Sequence, residues 1–251
     1  MLTPLCLPGG FARNGTHLRT GGWKRATTSV LARLAGRVDR QYRDRAAAGA
    51  KLADQLVAAG YAGREDVTVL GLVRGGVPVA AVVADRLAAP LDVLVVRKLG
   101  VPGAPELAFG AIGPRGALVV NEAIAHMLAP GDIETVRQEA DAELTRREQR
   151  YRADRPPLSL TDRVAIVVDD GLATGATALV AVKVAGQLGA HRVVMAAPVA
   201  APDALARVAE IADEVVCPLA PLDFEAVSRY YHRFDQVSDD EVVDLLVAAT
   251  R

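Results

Sequence analysis

Asp169 and Asp170 stand side by side at the end of the apolar run Val164 to Val168, and Gly171, Thr174, Gly175 and Thr177 follow within seven residues. Two adjacent carboxylates suit a vicinal diol, a divalent metal or a developing positive charge. Hydroxyls such as those of Thr174 and Thr177 suit phosphate oxygens. An Ala- and Val-rich stretch of helical character begins here, so Ala173 to Thr177 would present free backbone N–H groups at a helix N-terminus, which is an anion site. The coincidence of strand, acid pair, hydroxyls and helix start favours a phosphorylated ligand over a solvated turn with an N-capping threonine.

Three further groups could do chemistry. Val73-Arg74-Gly75-Gly76 follows another buried apolar run, and alone it reads equally as a turn. Arg97 and Lys98 lead into residues 99–116, whose only carboxylate is Glu106. These three are either ligand contacts or solvated loop residues. Phe224, Tyr230, Tyr231 and Phe234 crowd into eleven residues of a chain that is only 4% aromatic. Aromatic faces stack flat bases, a contact of about 1–3 kcal/mol per base; the same residues would also serve as a hydrophobic cluster packing the tail.

The elements that must position these groups follow from periodicity and punctuation. Helices are expected over 42–59, 77–89, 133–152, 177–188, 202–211 and 238–247. Strands are expected over 67–73, 91–96, 164–168, 193–197 and 214–217, with possible short strands at 107–112 and 117–120. Ser238 and Glu241 form a capping box for the last helix. Residues 99–116 hold five glycines and three prolines, too many for a regular element throughout. Strands alternating with helices predict an α/β fold with a parallel sheet covered on both faces, and ligands then sit beyond the carboxyl ends of the strands.

The string V-V-D-D-G-L-A-T-G-A-T resembles the phosphoribosyl pyrophosphate (PRPP) signature of type I phosphoribosyltransferases, and the resemblance runs over roughly residues 41–251. It implies a Rossmann-like parallel sheet flanked by helices with a small C-terminal hood. The implied reaction moves 5-phosphoribosyl from PRPP to a nitrogen acceptor, a nucleobase, and releases pyrophosphate. Asp169 and Asp170 would hold the ribose hydroxyls and stabilise an oxocarbenium-like transition state. Ala173, Thr174, Gly175, Ala176 and Thr177 would hold the 5′-phosphate. Arg74, Gly75 and Gly76 would form a pyrophosphate loop, glycine tolerating a backbone strained away from ordinary geometry. Lys98 would touch pyrophosphate, residues 99–116 would be a mobile catalytic loop, and Glu106 would be a general acid or base. Phe224 would stack on the base. Mg2+ would ride mostly on PRPP oxygens, reaching Asp169 and Asp170 through ribose hydroxyls or water. The hypoxanthine-guanine branch has an acid where this chain has Ala173, so that branch is disfavoured and the acceptor stays open. A PRPP-sensing regulator without catalysis is the alternative, and a sugar-phosphate hydrolase or synthase sharing the phosphate loop is a weaker one.

Composition bounds the remaining classes. The chain has 251 residues, is 51% hydrophobic and has a net charge of −1. Residues 1–40 carry seven basic residues and one acid, leaving 22 basic and 29 acidic residues elsewhere. The body is therefore mildly acidic, and nucleic acid is not an expected partner. The expected organisation is a basic, poorly ordered arm over 1–40, a core over 41–217, and a hood with C-terminal helix over 218–251. The arm also reads as an overextended start, a transit-peptide-like leader or a basic ligand-binding segment. Cys6 and Cys217 fit no zinc or redox spacing. No apolar run reaches the length of a membrane span. A cytoplasmic protein is expected, with homo-oligomerisation by family analogy.

Overall fold

The computed structural model describes residues 42–153 and 155–249, with the side chains of Pro105 and Glu106 left aside. The basic arm over 1–40 therefore lies outside the described residues. The chain opens with α1 (Arg45–Ala58), where the Asp44 side chain accepts a hydrogen bond from Ala47 N at 2.9 Å, a standard N-cap. It continues through β1 (Val67–Leu72), α2 (Gly76–Leu87) and β2 (Leu91–Leu94). Next come β3 (Arg97–Val101), β4 (Ala104–Ile112), β5 (Leu118–Val120), α3 (Glu122–Ala125) and the long α4 (Pro130–Arg152). The second half alternates β6 (Val164–Val168), α5 (Ala176–Gln187), β7 (Arg192–Ala196), α6 (Pro202–Ala209) and β8 (Glu214–Val216) before α7 (Asp239–Ala248).

Five strands form one parallel sheet in the order β2-β1-β6-β7-β8. Because β1 lies between β2 and β6, the strand order reverses at the β1/β6 boundary. A crevice opens at such a switch point beyond the strand ends. Alternation along the strands divides the core into two layers. Val164, Ile166 and Val168 of β6 pack on one face with Leu52 of α1, Val83 of α2 and Leu246 of α7. Ala165 and Val167 pack on the other with Val184 of α5 and Val208 of α6. The parallel sheet flanked by helices is the expected architecture. The last helix is part of the principal core, since Val242 and Leu246 are fully or almost fully buried within it.

Residues 99–116 depart from the expected irregular loop. β3 and β4 pair as an antiparallel hairpin, and β5 joins the other edge of β4 to make a separate three-stranded sheet. Pro102 and Gly103 do not interrupt a strand; they make the two-residue turn between Val101 and Ala104, with Gly103 at φ 80. Pro followed by a positive-φ glycine is turn chemistry rather than loop chemistry. The register shifts beside Gly100, so that glycine sits at a bulge.

The stretch 218–236 is irregular, as its composition suggests, apart from a 3-10 turn at Val227–Tyr230. It is tied to the start of the described chain. Tyr42 bridges Tyr231 in parallel, Tyr42 N donates to Tyr230 O, and His232 N donates to Tyr42 O.

Candidate active site

The loops after β1 and β6 meet at the switch point. At Gly75, an added Cβ would lie 2.8 Å from Asp170 Cγ, inside contact distance. At Gly76, it would lie 3.0 Å from the Asp169 Cα and would also collide with the Val168 carbonyl. Glycine is required here by proximity, not by an unusual φ: Gly75 has φ −61 and ψ −30. The Val73–Arg74 peptide is cis.

Asp169 and Asp170 are both partly buried at the end of β6. Asp169 Oδ1 accepts from Asp170 N at 2.9 Å. Burial, and secondarily the neighbouring Asp170 charge, push the Asp169 carboxyl up to about 8. Burial also raises Asp170, but Arg45 opposes it. Arg45 Nε lies 2.9 Å from Asp170 Oδ2, and Arg45 Nη2 lies 2.9 Å from the same oxygen. With a guanidinium in contact, Asp170 is the member of the pair that holds the negative charge, and the proton favours Asp169.

Beyond the acids, Gly175 takes φ 70 and caps α5, while Ala173, Thr174 and Thr177 are arrayed around the helix N-terminus, all three exposed. Arg207 from α6 donates to the Thr174 carbonyl at 2.7 Å, which steadies the loop without occupying its N–H groups. A cleft of about 540 Å³ is lined by Arg45, Arg74, Gly75 and Asp170 and by the 234–237 segment with Val227, while none of Ala173–Thr177 is in its lining.

The expected residues divide into two groups. Arg74, Gly75, Gly76, Asp169 and Asp170 converge, and the chain runs from Asp170 through two residues into Ala173–Thr177. Arg74 also approaches Asp239 of α7, at 3.9 Å. Lys98 is exposed on β3, outside the cleft lining. Arg97 lies 3.9 Å from Glu143 of α4. Glu106 is carried by β4, and its side chain lies outside the described residues. Phe224 does not line the cleft; its ring stacks on Tyr230 at 5.5 Å. Phe234 does line it, and its neighbours are Tyr231 at 4.9 Å and the Arg45 guanidinium at 4.0 Å. The hood aromatics thus pack largely on one another, the reading in which they are a tail cluster.

The sequence does not single out Arg45, and it marks Tyr231 only as one of the tail aromatics. Tyr231 Oη donates to the Asp170 carbonyl at 2.6 Å. Arg45 leaves one signal: it occupies the first turn of α1, where a cation opposes the helix dipole. A residue placed against its local preference points to a partner elsewhere.

The donor set bears on the implied metal. Two carboxylates at one strand end are too few to make an oxygen cage, and among the described residues no group of three or more His, Cys, Asp or Glu side chains gathers as a metal site. This fits a Mg2+ that takes most of its oxygens from ligand phosphates and water. No helix among the described residues is long and apolar enough to cross a membrane.

Comparison with known proteins places the chain in a family. The family model described as a phosphoribosyl transferase domain matches residues 40–235. Proteins from two strains of Mycobacterium tuberculosis, provisionally named phosphoribosyl transferases, are each 51% identical over 210 residues, which is 83% of this chain and 47% of theirs. The chain therefore spans about half the length of these relatives. The crystal structure of TT1426 from Thermus thermophilus is similar at 43% identity with a TM-score of 0.75, covering 83% of this chain and 98% of that one.

Proposed function

The chain belongs to the phosphoribosyl transferase domain family, and on that premise we propose that it transfers 5-phosphoribosyl from PRPP to a nitrogen acceptor, a nucleobase, with release of pyrophosphate. The supporting observation is the contact between the two glycines after β1 and the acid pair after β6. It sets a loop suited to pyrophosphate against carboxylates suited to a ribose diol, with the α5 N-terminus close behind for the 5′-phosphate.

In this reading the bond from ribose C1′ to the pyrophosphate oxygen breaks and a bond from C1′ to the acceptor nitrogen forms. The acceptor's N–H proton leaves. Asp169 and Asp170 hold the diol, and the negative charge kept on Asp170 favours positive charge growing on the sugar. Arg74 and the backbone of Gly75 and Gly76 face the departing pyrophosphate, and Ala173 to Thr177 anchor the 5′-phosphate. Lys98 and Glu106 belong to the β3–β4 hairpin; they would act on pyrophosphate and on the transferred proton when that hairpin borders the ligand. Mg2+, reached by Asp169 and Asp170 through ribose hydroxyls or water, would supply charge neutralisation on the pyrophosphate. Val227, Phe234 and Val237 bring apolar surface to the cleft beside the polar Asp235 and Gln236, a mixture that suits a flat base with hydrogen-bonding edges. Ala173 leaves no acid at the position used by the hypoxanthine-guanine branch.

The test is calorimetric titration with PRPP and Mg2+. The double substitution Asp169→Asn, Asp170→Asn is expected to abolish measurable binding while the melting temperature stays close to wild type. Unchanged PRPP affinity in that variant sinks the assignment. A panel of nucleobases and amines, scored by pyrophosphate release, then identifies the acceptor.

A further inference from the structure

We infer that Arg45 is a positioning residue for Asp170, clamping one carboxylate oxygen so that the other is free to take a ribose hydroxyl. The inference rests on the donor-site reading above and names a residue from outside its motifs.

Four contacts define the clamp. Nε and Nη2 of Arg45 both reach Asp170 Oδ2, at 2.9 Å each. Nη1 donates to the Asp235 carbonyl at 2.7 Å. The guanidinium lies 4.0 Å over the Phe234 ring. The Arg45 side chain is 12% exposed and that of Asp170 is 14% exposed, so the pair is largely shielded from water. Asp170 Oδ1 has no hydrogen-bond partner among the described residues, while the backbone carbonyl of the same residue is fixed by Tyr231 Oη. Asp170 lines the cleft together with Arg45. The carboxylate is therefore held at one oxygen and at its backbone, with one acceptor left over at the cleft.

A planar fork is what this arrangement needs. Lysine offers a single point of charge and no flat face for Phe234, so it cannot reproduce the set of contacts. The arrangement also makes Arg45 act through Asp170 rather than on phosphate, and that distinction can be measured. Ligands carrying the diol should depend on Arg45, and a ligand without it should not.

The experiment compares Arg45→Ala and Arg45→Lys with wild type, using PRPP, ribose 5-phosphate and inorganic pyrophosphate as probes in the presence of Mg2+. Arg45→Ala is expected to weaken PRPP and ribose 5-phosphate by about tenfold or more, the scale of a lost charge-assisted hydrogen bond. Pyrophosphate affinity should stay within about twofold, and Arg45→Lys should restore only part of the loss. In an Asp170→Asn background, removing Arg45 should cost little further, because the two residues act as a unit. Equal weakening of all three ligands, or losses that add in the double variant, overturns the inference. So does Arg45→Ala, or Arg45→Lys should the alanine variant fail to fold, binding PRPP as wild type does. Wild-type protein that takes up neither PRPP nor ribose 5-phosphate overturns the donor-site reading, and the inference with it; unchanged binding in the variants overturns the inference alone.

Discussion

At the scale of single residues, the site is governed by what has no side chain as much as by what has one. Gly75 leaves the space in which the Asp170 carboxylate meets Arg45. A methyl group there would sit 2.8 Å from Asp170 Cγ, and the carboxylate cannot yield without losing its guanidinium. Gly75→Ala is therefore expected to cut PRPP affinity by about tenfold or more, as a displaced charge-assisted hydrogen bond would, with Asp170 shifted in a crystal structure of the variant. Gly76→Ala meets backbone instead, so it should lower the melting temperature more than Gly75→Ala does. The acid pair and the T-G-x-T loop were legible in the sequence because their residues are contiguous. Arg45 was not, because its partner is 125 positions away and nothing local announces the pairing except an ill-placed positive charge. Among four clustered aromatics, composition could not say which one reaches the cleft; Phe234 does so because it follows the segment that bridges to Tyr42, whereas Phe224 precedes it and packs on Tyr230.

Among the elements, the strands of the main sheet were the most readable, since strands buried on both faces show as short unbroken apolar runs. The β3–β4 hairpin was the least readable. Its Gly and Pro content belongs to a tight turn and a bulge, and counting such residues does not distinguish a turn inside a hairpin from a loop. How elements are tied together also sets their energetic weight. Arg152, the last residue of α4, makes two 3.0 Å hydrogen bonds to Asp92 of β2 and a third to the Pro156 carbonyl, with its side chain 8% exposed. Asp92→Ala would strand a buried guanidinium, and about 3–5 kcal/mol of unfolding free energy should be lost. Removing the α1 cap with Asp44→Ala should cost only about 1 kcal/mol. Urea denaturation of the two variants side by side checks the order; an equal effect would show that the Arg152 pair is solvated in practice.

For the molecule as a whole, the junction of hood and sheet gathers several groups that hold their protons more tightly than the unfolded chain does. Burial raises Tyr42 and Tyr231 well above the ordinary tyrosine range and pushes the Cys217 thiol up to about 12. Each of these groups is neutral when protonated, and its folded pKa exceeds its unfolded one. Over that interval the folded state binds more protons, so stability falls as pH rises. For Cys217 the window opens near 9 and runs to about 12, and for the tyrosines it opens near 10. Thermal melts should thus be insensitive to these groups up to about pH 8.5 and decline increasingly beyond it. Cys217→Ala should flatten the first part of that decline; an unaltered slope would place the alkaline sensitivity elsewhere.

The bridge between Tyr42 and Tyr231 has a consequence for how the molecule is made. Asp170 is gripped from an early segment by Arg45 and from a late one by Tyr231. A ribosome would therefore have built every strand of the main sheet before the residue that fixes the Asp170 backbone had emerged. Synthesis of the sheet strands and completion of the ligand site are separate events in time, and a nascent chain halted after β8 would lack both Tyr231 and the last helix of the core.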